Sequence, residues 1–139
     1  MKSEPFDRRA LVEYRLNRAW ETWHDAQLLA EHGGRPYSIV NRSYYAMFYA
    51  LLALLAAHRL AASRHSGAIA LFDREFVRKG LFPKALSRAL HQAFDLRQEG
   101  DYEDFWEPTR EKALEILQNA RLFIEAIERH LHETFLHSS

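Results

Sequence analysis

The sequence contains no cysteine and no excess of charge of either sign, and each absence excludes a class of protein. Without cysteine, the chain forms no disulfide, holds no metal through a thiolate and has no cysteine nucleophile. Lys and Arg together number 19, as do Asp and Glu, so no global field draws the chain to nucleic acid or to an anionic membrane. Any site for a polyanion must therefore be a local patch.

Targeting signals, linkers and internal repeats are also missing. The N-terminus has neither the apolar core nor the small-residue cleavage site of a secretion signal. Together with the absence of cysteine, this favours a cytoplasmic protein that makes no contact with a membrane. A chain of 139 residues suits one hydrophobic core. We expect a single helical domain over residues 1–139, with short disordered tails at both ends.

Apolar residues recur every three to four positions in five segments, and no segment alternates like a strand. The predicted helices are Asp7–His32, Pro36–Arg59, one capped by Ser63 or Ser66 and ending at Lys79, Pro83–Gly100, and a last helix from Pro108. Residues 44–57 are an unbroken apolar run of 14, too short for a bilayer and typical of a buried central helix. The short connections predict an all-α fold, an antiparallel four- to five-helix bundle.

Glycine and histidine patterns speak against several kinds of active site. The five glycines fall where the predicted helices end, and no GxSxG, GxGxxG or Walker loop occurs. His130, His132 and His137 crowd the C-terminus, but residues two apart on a helix point to different faces. Neither HExxH nor a Glu-x-x-His carboxylate cluster is present. We expect no metal site and no cofactor.

Two polar segments stand out. Asn41, Arg42 and Tyr45 can share one face of the central helix and form a candidate ligand-binding group. Alternatively, Arg42 pairs with a carboxylate and the tyrosine hydroxyls find backbone acceptors. In the second segment, Arg97 lies among acidic residues near the end of a predicted helix. It is either a functional cation or a residue that complements the helix dipole and pairs with Asp101.

These segments, together with Arg64-His65-Ser66-Gly67, resemble the HEPN superfamily of small helical domains, in particular its stand-alone prokaryotic members. The resemblance spans about Tyr14 to Leu131. It implies a dimeric helical bundle that handles RNA or nucleotides. Many such proteins are metal-independent ribonucleases, and many are toxins neutralised by a small nucleotidyltransferase partner. Their active site resembles Arg-x4-6-His, in which the arginine stabilises charge on a phosphate and the histidine moves protons.

Arg97 occupies the place of the motif arginine, but the expected histidine is absent. The three positions at that spacing hold Tyr102, Glu103 and Asp104, and a tyrosine is a poor proton shuttle at neutral pH. His65 belongs to the His-Ser-Gly of the matching branch and could approach Arg97. The candidate catalytic residues are Arg97, Tyr102 and His65, and the candidate ligand-binding residues are Arg97, Asn41, Arg42 and Tyr45.

Three functions remain open at this point. The first is a nucleotide- or RNA-binding domain that acts with a nucleotidyltransferase in a toxin–antitoxin-type system. The second is a metal-independent ribonuclease with a non-standard site, and the third is a non-catalytic dimerising module. A cleft lined by acidic residues would repel phosphate and favour the third; the acids concerned are Asp95, Glu99, Asp101, Glu103 and Asp104.

A homodimer is predicted from the aromatic content of 13%. This is more aromatic surface than one thin bundle easily hides. The aromatic residues concerned are Tyr44, Tyr45, Phe48, Tyr49, Phe105 and Trp106.

Overall fold

The computed structural model describes residues 7–104 and 106–136, and within them the chain forms five α-helices and no strand. The helices are α1 (Arg8–Glu31), α2 (Pro36–Ala57), α3 (His65–Phe72), α4 (Lys84–Tyr102) and α5 (Arg110–Thr134). A π-helical turn, Asp73–Val77, continues α3. α2 contacts the four other helices. The prediction of an all-α bundle is confirmed.

The central position of α2 follows from its apolar sequence. Tyr44, Met47 and Leu51 are completely buried, and the core continues through Leu54. Among the described residues, α2 is the one helix long and apolar enough to cross a membrane, but 67% of its most apolar window is buried inside the bundle. The predicted buried central helix is confirmed.

Local signals set some helix ends. Asp7 caps α1, because its carboxylate accepts a hydrogen bond from the backbone N–H of Ala10 at 3.3 Å. Gly33, with a φ of 76°, ends that helix. The hydroxyl of Thr109 accepts from the N–H of Lys112 at 3.0 Å and caps α5. The last helix therefore begins at Arg110, two residues later than predicted.

The start of α3 and the end of α4 differ from the prediction. Neither predicted serine caps α3, since its N-cap is Arg64, which makes no capping hydrogen bond through its side chain. The helix α4 continues past Gly100 to Tyr102, so Asp101 is helical and does not belong to a connection. The prediction that the glycines mark helix ends is wrong for Gly100, and also for Gly67 inside α3.

Gly100 lies inside α4 because the ring of Tyr37 packs directly on its backbone. A Cβ at this position would stand 2.0 Å from Cε1 of Tyr37, far inside van der Waals contact. Glycine, which has no Cβ, is therefore the residue that lets the Tyr37 ring pack this close to the backbone.

The chain hides much of the aromatic surface from which a dimer was predicted. Tyr44 is completely buried, while Tyr45, Phe48 and Tyr49 pack partly against the core. Trp106 meets the ring of Tyr37 edge-on, with 6.5 Å between ring centroids. Phe105, His137 and most of the predicted tails lie outside the described residues. The aromatic content alone therefore does not require a second chain, and the dimer stays a prediction.

Candidate functional site

The candidate site is a group of side chains where α2, α3 and α4 meet, called here the Arg97 cluster: Tyr44, Tyr45, His65, Phe94 and Arg97. The two tyrosines follow each other on α2, and His65 is the first residue of α3. Phe94 and Arg97 are three apart on α4 and so share one face. Three helices thus contribute to one small volume.

Aromatic rings hold the guanidinium of Arg97. Its central carbon lies 5.0 Å from the ring centroid of Tyr44, 5.7 Å from that of Tyr45 and 5.5 Å from that of Phe94. Only 14% of the side chain is exposed. Cation–π attraction over several rings fixes the plane of the guanidinium, and partial removal from water strengthens that attraction.

Some of the hydrogen-bond donors of Arg97 have no acceptor among the described residues. Its Nη1 donates to the hydroxyl of Tyr45 at 3.4 Å and to the carboxylate of Asp101 at 3.2 Å. Within the described residues, the N–H groups on Nε and Nη2 have no acceptor, and Nε is buried. A buried donor without an acceptor costs free energy. The guanidinium is therefore fixed, charged and only partly paired, which suits it to binding an oxyanion.

The sequence left open a structural role for Arg97, in which it pairs with Asp101 and complements the helix dipole. The ion pair with Asp101 is confirmed. The interaction with the helix dipole is wrong. Because α4 continues to Tyr102, Arg97 lies before the last turn of the helix, which contains no basic residue.

His65 joins the cluster through Tyr44. Its Nδ1 lies 2.6 Å from the Tyr44 hydroxyl, and its ring stacks on Phe48 with 3.9 Å between centroids and 5° between planes. Burial lowers the pKa of His65 below its usual value, and the positive charge of Arg97 lowers it further. The imidazole is therefore neutral at pH 7. With Nδ1 bonded to Tyr44, Nε2 is the atom left to exchange a proton with a ligand.

Tyr44 is a site residue that the sequence did not identify, although it lies in the polar segment that drew attention. Its side chain is completely buried, and burial raises its pKa well above the usual range, although Arg97 opposes this shift. The hydroxyl therefore stays protonated and fixes the position of the His65 ring. A tyrosine next to Tyr45 in a core helix was the available signal.

The structure places Asn41 and Arg42 at one side of the cluster. The side-chain oxygen of Asn41 accepts from Nε of Arg42 at 3.1 Å and from its Nη2 at 3.0 Å. The guanidinium of Arg42 lies 5.1 Å from the ring centroid of Tyr45. The alternative prediction, a carboxylate partner for Arg42, is wrong among the described residues. Asn41 and Arg42 line a cavity of about 410 Å³.

Tyr37 connects that cavity to Arg97, and the sequence did not identify it. Its hydroxyl donates to the carboxylate of Asp101 and lies 3.4 Å from the backbone oxygen of Arg97. The amide of Asn41 donates to the same hydroxyl at 3.5 Å. The separation of four residues between Tyr37 and Asn41 on one helix was the only local signal.

Tyr102 lies apart from the other candidate residues. Its side chain is 83% exposed, and it makes no contact with the Arg97 cluster within the described residues. It follows Arg97 by five residues, which on a helix turns it well away from the face that carries Arg97.

The acidic residues around Arg97 mostly face solvent. Asp95, Glu99, Glu103 and Asp104 are exposed, and none of them contacts the cluster in the described part of the chain. Asp101 is the acid that does. The same part of the chain holds no group of three or more His, Asp or Glu side chains placed to bind a metal ion.

Comparison with known proteins links the chain to small helical domains. A family model described as the HEPN domain matches residues 12–130. A UPF0332 protein of Thermotoga maritima is 40% identical over 123 residues, 88% of this chain and 92% of the relative. A UPF0332 protein of Archaeoglobus fulgidus is 32% identical over 114 residues, 82% and 90% of the two chains. "Putative toxin MJ0605" of Methanocaldococcus jannaschii is 34% identical over 94 residues, 68% and 69% of the two chains.

Proposed function

The chain belongs to the HEPN domain family, and on that premise we propose that it binds RNA or nucleotides through Arg97 as part of a toxin–antitoxin-type system. The observation that carries the proposal is the guanidinium of Arg97, which aromatic rings hold in place and whose Nη2 has no acceptor among the described residues. The toxin role is supported by the name of the relative from Methanocaldococcus jannaschii.

A phosphate suits this guanidinium better than a carbonyl or hydroxyl ligand does. The planar fork of an arginine matches two oxygens of a phosphate, and both ends of the contact carry charge. Asp101 accepts from Nη1, so a phosphate that binds at Nη2 does not have to displace it.

The local charge also favours an anion, although the chain as a whole is neutral. Arg42 and Arg97 lie over the same Tyr45 ring, at 5.1 and 5.7 Å, and Asp101 is the one acid among the described residues that contacts this group. Two cations against one carboxylate leave a net positive patch. This is the local patch that a neutral chain needs to hold a polyanion.

The proposal includes two protein partners, a second copy of the chain and a small nucleotidyltransferase, and a cytoplasmic location. Support for the partners comes from the family, whose members pair their sites across a dimer.

The test is to titrate short RNA oligonucleotides and nucleoside phosphates against wild type and Arg97→Ala, with thermal unfolding of both. Loss of a charge-assisted contact is expected to weaken binding roughly 10- to 100-fold. Arg129→Ala is the matched control, since Arg129 is exposed on α5 and has no ion-pair partner among the described residues. Equal affinity for wild type and Arg97→Ala, with only a lower melting temperature, would refute the proposal.

A second candidate function, a metal-independent ribonuclease, is favoured by His65. When Nδ1–H donates to the Tyr44 oxygen, the neutral imidazole has a free lone pair on Nε2, and that atom can take the proton of an attacking 2′-hydroxyl. If this function holds, wild type cleaves RNA in the presence of a chelator, and His65→Gln and Arg97→Ala do not. Tyr102→Phe should keep the activity, because Tyr102 lies away from the cluster. Binding without cleavage excludes the ribonuclease, and dimerisation without binding favours the non-catalytic module.

A further inference from the structure

The first half of α4 carries a second basic surface that the proposed function does not use. A cavity of about 600 Å³ lies between this helix and the π-helical turn that follows α3. The residues that line it, called here the α4 cavity, are Asp73, Val77, Arg78, Lys84, Ser87 and Arg88. Three of these six side chains are cationic, and one is acidic.

The acid of the α4 cavity is already engaged by neighbours other than the three cations. The hydroxyl of Ser87 donates to one carboxylate oxygen of Asp73 at 2.6 Å, and the imidazole of His91 lies 2.7 Å from the other. The second acid of the π-helical turn, Glu75, is engaged as well. It accepts from Arg74 at 3.0 Å and from Lys79 at 2.8 Å.

The three cations are consequently left without a carboxylate. Among the described residues, Arg78, Lys84 and Arg88 make no ion pair, and all three are exposed at the mouth of the α4 cavity. Like charges gathered around one cavity repel each other unless an anion lies between them. The arrangement therefore has the charge and the room for an anionic ligand.

The start of α4 adds to this positive potential. Its N-cap residue, Pro83, makes no side-chain capping hydrogen bond, and its first turn contains no acidic residue. Lys84, Ser87 and Arg88 lie on one face of the helix at spacings of three and four residues, so the cations and the helix end act on the same volume.

We propose that the α4 cavity binds a phosphate group. The site is separate from Arg97, which follows Arg88 by nine residues. Nine residues are about two and a half helical turns and roughly 14 Å along the axis, so the two arginines lie on opposite sides of α4. The proposal does not depend on the function assigned to Arg97. The phosphate comes either from the backbone of a bound RNA or from a free polyphosphate.

The first arm of the test uses inorganic pyrophosphate and an Arg97→Ala protein, so that the site proposed at Arg97 does not contribute to binding. Lys84→Gln/Arg88→Gln is expected to lower the affinity for pyrophosphate at least tenfold. Arg121→Gln/Arg129→Gln removes the same charge from the surface of α5 and is expected to change it less than twofold. All four side chains are at least partly exposed, so the variants should fold. No saturable binding of pyrophosphate, or equal losses in the two double variants, would overturn the proposal.

The second arm identifies the source of the phosphate with a ten-nucleotide oligouridylate and protein that retains Arg97. If the RNA backbone occupies the cavity, Lys84→Gln/Arg88→Gln reduces the slope of log affinity against log salt concentration by about 1.4 for two lost phosphate contacts. An unchanged slope with lost pyrophosphate binding assigns the cavity to a free polyphosphate. Pyrophosphate binding at the α4 cavity, with affinities for RNA and nucleoside phosphates that Arg97→Ala leaves unchanged, would refute the function proposed for Arg97 and leave the α4 cavity standing.

Discussion

Replacing Gly100 by alanine tests the contact that connects Tyr37 to the candidate site. The new Cβ would stand 2.0 Å from Cε1 and 2.2 Å from Cδ1 of Tyr37, whereas carbon atoms in contact are normally 3.5–4.0 Å apart. The ring must therefore move by more than an ångström. It cannot do so without disturbing the contacts of its hydroxyl with Asp101 and Asn41.

Two opposing effects determine how much Gly100→Ala changes the free energy of unfolding. In a helix interior, alanine is favoured over glycine by about 0.5–1 kcal/mol. Overpacking costs typically 1–3 kcal/mol, and the hydrogen bond between Tyr37 and Asp101 is weakened as well. We expect Gly100→Ala to lower the free energy of unfolding by about 1–2 kcal/mol. For a chain of this length, that corresponds to a melting temperature lower by roughly 3–8 °C.

The assay is chemical and thermal unfolding of Gly100→Ala beside a matched control, Gly67→Ala. Gly67 also lies in a helix, but a Cβ there would meet only the Cβ of Ala62, at an ordinary 3.6 Å. The control should therefore be as stable as wild type or more stable. In the Tyr37→Ala background, where the ring is gone, Gly100→Ala should become neutral or stabilising. A Gly100→Ala protein as stable as wild type would refute the reasoning.

Three further predictions follow from the structure and the proposal. Because burial lowers the folded-state pKa of His58, His65 and His130 below the usual 6.5, the unfolded chain binds more protons in that range. The free energy of unfolding should therefore fall as the pH is lowered through 6.5, and urea unfolding with equal midpoints at pH 7.5 and 5.5 would contradict this. A tag-free preparation should contain no stoichiometric transition metal by elemental analysis, and a chelator should change neither its stability nor its ligand affinity. Light scattering at micromolar concentration should give twice the mass of one chain; the mass of a single chain would exclude the homodimer.

The sequence predicts the helices well where a local pattern dominates. The apolar run of α2 predicts a buried helix, and the glycine after α1 predicts the end of that helix. Both predictions agree with the structure. The π-helical turn after α3 was not predicted, because no local pattern in the sequence distinguishes it from α-helix. Its Phe76 packs with Phe72 and Phe82 in the core. The uncapped start of α3 at Arg64 likewise has no local signal.

The candidate site was only partly predictable, because its contacts join distant parts of the chain. Tyr37 and Asp101 are 64 residues apart, and Tyr44 and His65 are 21 apart. Spacing along a helix can group Asn41 with Tyr45, but it cannot tell which side of α4 meets them. Gly100 does mark where α2 approaches α4, because the ring of Tyr37 packs on it, but the sequence pattern was interpreted as a helix end at this glycine.

The structural and functional interpretations of Arg97 are compatible, because they use different nitrogen atoms. The ion pair with Asp101 and the hydrogen bond to Tyr45 both involve Nη1. The donors left over are on Nε and Nη2, and Nε is among the few buried polar atoms without a partner in the described chain. Asp101, anchored in turn by Tyr37, fixes one edge of the guanidinium while the aromatic rings fix its plane. Pairing with a carboxylate therefore orients Arg97 for an anion rather than occupying it, and a cation held in this way loses little conformational entropy when a phosphate binds.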